Sequence, residues 1–253
     1  MVLLAKLKYF LALPFLFLAL WAVSWGVADF LSFRVLGKES EWATLNYVPS
    51  ISEWENAQSL LERSMRLNSF NPNYPETMGR LYIWRLYVQD APIRSKEEKR
   101  KFVNLSMKHL RSSIDKRPTW PLTWALSLET KSIDGQIDDE YWFLWDRARE
   151  LGRWDRVVLS KLLKSGLVHW GMFTDEQRGR VVNVFVDMLA KNTTERDALS
   201  ISKTIGALPF FCNILSDDVI TKSMHWECSA LQEPTLKARQ EREKNPNKSN
   251  NRE

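Results

Sequence analysis

Between Tyr9 and Ala28 the chain reads YFLALPFLFLALWAVSWGVA, a run of twenty residues without a charge. At about 1.5 Å of rise per residue, a helix of that length spans the hydrocarbon core of a bilayer, about 30 Å thick. Lys6 and Lys8 precede the run and Asp29 follows it. Basic flanks stay cytoplasmic, so the N-terminus is expected inside and everything after Asp29 outside. Trp21 and Trp25 are then expected near the outer interface, and Pro14 is tolerated in a membrane helix. A cleaved signal peptide is the rival reading, because Gly26-Val27-Ala28 offers the small residues of a cleavage site. The apolar run is longer than the usual signal core of about 7–15 residues, which favours an uncleaved single-span anchor. Both readings send the rest of the chain to one compartment. In a Gram-negative bacterium the expected address is the inner membrane, with the C-terminal domain in the periplasm.

The 253 residues suffice for one span and one domain with a core. Nine glycines and ten prolines, set at intervals, suit helices with short joints. The net charge of +5 is spread through interleaved acids and bases, which reads as solvated helix faces and not as a nucleic-acid footprint. The two cysteines, Cys212 and Cys228, lie close together and form a candidate disulfide in an oxidising compartment; two buried thiols are the alternative. His109, His169 and His225 are far apart, with no C-x-x-C or H-E-x-x-H spacing, so neither metal nor cofactor is expected. There is no G-x-S-x-G elbow and no phosphate-binding glycine loop. Asp138-Asp139-Glu140 and Asp217-Asp218 sit at expected helix starts, where capping and the helix dipole account for them. No catalytic residue is assigned, and the chain reads as a non-enzyme.

Beyond the anchor the recurring signal is helical. Helices are expected over 51–67 (N-cap Ser52, with Glu55 closing a capping box), 76–90, 95–115, 121–132, 138–151, 153–170, 174–189, 195–205 and 217–225. Gly79 inside the second of these costs about 1 kcal/mol relative to alanine, so it wants a close helical neighbour. In RPTWPLTWALS, Pro118 ends one helix and Pro121 opens the next. The division that follows is a signal-anchor over 1–29, a juxtamembrane linker over 30–50, a helical domain over 51–230 and a polar, disordered tail over 231–253.

Leu60, Ser64, Leu67 and Pro72 recur at identical spacing as Ser106, Leu110, Ser113 and Pro118. This is similar to the second helix and proline of a tetratricopeptide unit, and Gly79 with Tyr82 resembles a piece of its first helix. The expected fold is therefore all-α, a degenerate tetratricopeptide-like right-handed solenoid behind a membrane helix. Gly79, Tyr82, Leu110, Pro72, Pro118 and Trp124 are its expected packing residues.

The anchor, GRLY at Gly79–Tyr82, RPTWP at Arg117–Pro121 and Leu151-Gly152 with Trp154 together resemble the VpsP-type polysaccharide biosynthesis proteins. Arg153 and Arg156 stand where that family carries prolines. The resemblance implies a non-enzymatic accessory protein in exopolysaccharide or capsule synthesis and export, with synthesis and export proteins as partners. A glycan-binding module, or a glycan-processing enzyme on the same scaffold, is the alternative. Trp54, Trp84 and Trp124 fall on apolar stripes and read as core. Trp120, Trp142 and Tyr141 are the candidate partner or glycan contacts, with Arg80 and Arg85, whose stems more simply cover apolar surface.

Overall fold

The computed structural model describes residues 2–45, 47–216 and 219–231. Asp217, Asp218 and the expected tail from residue 232 onward lie outside the described residues. Among the described residues the regular structure is helical, without strands. The helices form two compact units, Met1–Gly152 and Arg153–Glu253, so the expected single domain over 51–230 is divided at Gly152.

The first unit begins with α1 (Val2–Thr44), a helix of 43 residues with Pro14 inside it. Among the described residues it is the helix long and apolar enough to cross a membrane. It also outlasts the apolar run. Beyond Ala28 it carries Asp29, Arg34, Lys38, Glu39 and Glu41, and it buries Ala28, Ser32, Val35, Glu39 and Trp42. Steps of four, three, four and three residues keep one stripe turned toward a partner. That partner is chiefly α2 (Ile51–Leu67). Val35 and Trp42 share one core with Trp54, Ala57, Leu61, Met78 and Leu81. The stretch expected as a linker over 30–50 is thus helical through Thr44, because no proline interrupts it and it has its own face to bury.

Helix α2 spans the expected 51–67, but its cap lies two residues earlier than predicted. Its N-cap is Ser50, and the capping box closes with Glu53, where Ser52 and Glu55 were predicted. The carboxylate of Asp90 accepts from the Ile51 amide at 2.9 and 3.1 Å, satisfying a donor the helix itself leaves open. Then come α3 (Asn73–Trp84), continued by a 3₁₀ turn over Arg85–Tyr87, α4 (Lys96–Lys116), α5 (Pro121–Ile133) and α6 (Asp139–Leu151). Ser95 caps α4, Pro121 occupies the first turn of α5, and Asp138 caps α6 through the Tyr141 amide, each as predicted.

The expected packing residues lie at the joints between these helices. At Gly79 a Cβ would fall 2.7 Å from Leu110 Cγ and 2.8 Å from Leu110 Cδ2, so α3 and α4 meet where only glycine fits. Ser106 Oγ donates to Gly79 O at 2.8 Å across the same contact. Tyr82 is buried, with its ring stacked on His109 at 5.5 Å. Pro72 O accepts from Ser113 Oγ, and Pro118 O accepts from Trp124 Nε1, both at 2.8 Å. The joint at RPTWPLTWALS is therefore a helix–helix corner. Leu67 is the exception, since it is exposed where its counterpart Ser113 is buried.

The second unit holds α7 (Arg156–Val168), α8 (Asp175–Leu189), α9 (Asn192–Ile205), α10 (Leu208–Ile214) and α11 over 222–231. Asp155 caps α7 through the Val157 and Val158 amides, which moves its start past the expected Arg153. Thr174 and Gln177 form a capping box on α8. Phe185 and Phe211 stack with centroids 3.8 Å apart. Short α10 was not predicted, and the last helix lies later than the expected 217–225. Cys212 and Cys228 are disulfide-bonded and tie α10 to α11.

Overpacking costs about 1–3 kcal/mol, set against the about 1 kcal/mol that alanine gains over glycine in a helix. Gly79→Ala is therefore expected to lower the urea midpoint of the full chain in detergent. Combined with Leu110→Ala, it should cost less than the sum of the single changes, because the truncated leucine leaves room for the new methyl.

Candidate functional site

Helix α3 is lined by polar groups that reach its neighbours on both sides. Toward α1, Asp29 Oδ1 accepts from the Tyr74 hydroxyl and, at 3.1 Å, from Asn71 Nδ2. Farther along α1, Glu39 Oε2 accepts from Arg80 Nη2 at 2.8 Å. Toward α4 and α5, Glu76 Oε2 accepts from Thr123 Oγ1 and, at 3.2 Å, from Arg117 Nη2. Glu39 and Glu76 are both buried carboxylates. Charges in such places are retained when they are paired.

Glu39 is the most perturbed of these groups. Burial pushes its carboxyl up to about 7, against the pull of Arg80, while the neighbouring charge of Glu76 adds a smaller push in the same direction as burial. Its Oε1 is buried without a hydrogen bond. Burial and the bond to Asp29 raise the Tyr74 phenol to about 12, so it remains a donor at neutral pH.

A buried cation belongs to α5. Lys131 Nζ donates to Asp138 at 2.8 Å and to Glu140 at 2.7 Å, and Arg111 also donates to Glu140. Burial opposes the charge on Lys131, but its two carboxylate partners outweigh that and hold it above its ordinary value. Asp138 and Glu140 are held below the usual carboxylate range despite some burial. The acidic cluster of the sequence thus caps a helix and neutralises a buried lysine.

The candidate contact residues do not converge on one cleft. Arg80 is taken up by Glu39. Arg85 is buried, with its guanidinium 5.1 Å from the Phe102 ring centroid and Nη1 donating to Ala91 O at 2.8 Å. Tyr141 is fully buried, which corrects its reading as a contact residue: α6 turns it inward against Trp145. Trp142 is half-buried against Tyr141 and Trp145. Trp120 remains, 42% exposed, with the Arg117 guanidinium 4.3 Å from its ring centroid. Of the expected core tryptophans, Trp54 and Trp124 are buried and Trp84 is partly so.

Several exposed aromatics were not marked as contacts by the sequence. In the first unit Phe70 is 73% exposed; in the second, Trp154 is 74% and Trp226 69% exposed. Lys191 Nζ lies 3.9 Å from the Trp154 ring centroid. The only sequence signal for Phe70 was its place in a proline-flanked turn. Shallow depressions lie on α4, beside Arg100, Lys101, Asn104 and Lys108, and on α9, beside Arg196, Leu199 and Lys203. No group of three or more His, Cys, Asp or Glu able to hold a metal occurs among the described residues.

No protein-family model matches this chain, and no curated protein sequence matches it.

Because the folded-state value of Glu39 is raised, the native state holds a proton that the unfolded state has already lost between about pH 4.5 and 7. Its contribution to stability is therefore greatest at the acid end of that window and is lost as pH rises through it. Glu39→Gln is expected to flatten the slope of unfolding midpoint against pH over that window, measured on the full chain in detergent; an unchanged slope would place the titration elsewhere.

Proposed function

We propose that this chain is a membrane-anchored, non-enzymatic adaptor of exopolysaccharide or capsule synthesis and export. In this reading α1 crosses the bacterial inner membrane once, N-terminus inside. The helices beyond it form a degenerate tetratricopeptide-like array in the periplasm that holds synthesis or export proteins. The observation that carries the reading is the unbroken passage of α1 from its apolar run into the buried seam at Ala28, Ser32, Val35, Glu39 and Trp42. That passage fits a protein whose task is to hold a helical surface at a fixed place beside a membrane.

The repeat reading is supported by Ser64 and by Ser106, Leu110 and Ser113, all buried at the corresponding positions, with prolines following both. The exposed Leu67 marks how far the first copy departs. The adaptor role is supported by the engagement of Glu39, Glu76, Asp138 and Glu140 with arginine, lysine or threonine, which gives each a structural task. The pairing of Arg117 with the exposed Trp120 favours a second reading, a glycan-binding module, because a ring and a guanidinium together suit a sugar face and its hydroxyls.

Deletion of the chain in its source organism is expected to lower secreted polysaccharide. A C-terminal alkaline phosphatase fusion should be active, and capture of the full chain from membranes should recover polymer synthesis or export proteins. Unchanged polymer, or a fusion active only as a cytosolic reporter, would overturn the reading. A saturable shift in tryptophan fluorescence with oligosaccharides would favour the glycan module.

A further inference from the structure

We infer that the edge of the first unit formed by the α2–α3 and α4–α5 turns rests in the headgroup layer of the bilayer that α1 crosses, with Phe70 inserted and Trp120 beside it. The inference rests on the membrane-anchor reading above and adds a second membrane contact to it.

The level of this edge follows from Asp29. It is the first charge after the apolar run, so it marks where α1 leaves the hydrocarbon. Its carboxylate is bonded to Asn71 and Tyr74, which brings the α2–α3 turn to that height. The α4–α5 turn is held alongside, because Lys116 Nζ donates to Ser69 O at 2.7 Å and Ser113 Oγ donates to Pro72 O. Subtracting a hydrocarbon core of about 30 Å from a full bilayer of about 40–45 Å leaves a headgroup layer of about 5–7 Å on each side. A turn bonded to Asp29 falls within that depth.

What this edge exposes fits the layer. Phe70 is the tip of the turn and Leu67 lies at the end of α2 beside it, both exposed. Trp120, whose amide donates to Arg117 O, is the exposed ring of the neighbouring turn. On α1, Phe30 and Phe33 are exposed within about 6 Å of rise above Asp29. Exposed aromatics at one height, on three separate segments, are poorly explained by water and well explained by an interface that favours amphipathic and aromatic rings. Arg66 and Lys116 are exposed on the same edge, where phosphate groups would meet them; Asp115 is the one acid of the α4 end.

The full chain in lipid nanodiscs tests this. Single cysteines replace Phe17, Glu55, Phe70 and Trp120 in turn, the native disulfide remaining closed, and each carries a nitroxide. Relaxation by oxygen against a water-soluble nickel chelate then reads depth. Position 17 is expected deep and position 55 in water, with 70 and 120 showing an oxygen-to-nickel ratio several-fold above that of 55. Ratios at 70 and 120 equal to that at 55, with 17 deep, would overturn the inference and leave the anchor standing. A wet position 17 would overturn the anchor and the inference together. Shielding of 70 that appears only on adding membrane proteins would assign the edge to a protein partner and overturn the lipid assignment.

Discussion

A helix leaving a bilayer meets water with its backbone already ordered. The costly first turn has been formed inside the membrane, so each further residue adds one hydrogen bond at the low cost of propagation. Whether it continues then depends on finding a face to bury. In this chain Val35 and Trp42 enter the core built by α2 and α3, and Trp42 meets Trp84 edge-on at 5.5 Å. Fully burying such side chains contributes about 1.5–3 kcal/mol each. The seam from Ala28 to Trp42 therefore removes the hinge that a flexible linker would have supplied, and the position of the first unit relative to the apolar run of α1 follows from it.

Glu39 in the seam and the exposed Asp29 beside it are acids, and they bear on register more than on strength. A one-heptad slide of α1 would carry Glu39 about 10 Å from Arg80, leaving a buried carboxylate without its cation. Asp29 would lose Asn71 and Tyr74 in the same movement. The apolar members of the seam tolerate several alignments, whereas the two acids admit one. The same division recurs deeper in the unit, where Gly79 lets α3 and α4 approach and Glu76 links Arg117 and Thr123 around them.

Much of this was legible in the sequence, because helix punctuation is local. Ser95, Pro121, Asp138 and Thr174 mark helix starts through their own side chains or rings, and the glycine at 79 announced a close neighbour. The stripe on α1 was harder to read, since Ser32 and Glu39 occupy positions where periodicity looks for apolar residues. Their burial depends on Arg80 and on packing from residues some forty positions away. The cap of α2 was hard to place because Ser50 with Glu53 and Ser52 with Glu55 share the capping-box spacing, and only the first pair forms the box. Tyr141 and Trp142, adjacent in sequence, differ in burial because neighbours on a helix point about 100° apart. Composition alone could not separate the tryptophans that fill corners from those left outside, such as Trp154 and Trp226. The pairing of Cys212 with Cys228, one of two open alternatives in the sequence, rests on two short helices of which only one had been anticipated.

The rigid seam is most directly tested by scanning residues 24 to 44 with single cysteines in the full chain, reconstituted in bilayers, and measuring their rates of reaction with a water-soluble maleimide. Slow reaction at 32, 35, 39 and 42, alternating with fast reaction at 36, 37, 40 and 41, is the expected pattern. Uniformly fast reaction beyond residue 29 would mean that the segment is a free tether and that no buried seam joins α1 to the first unit.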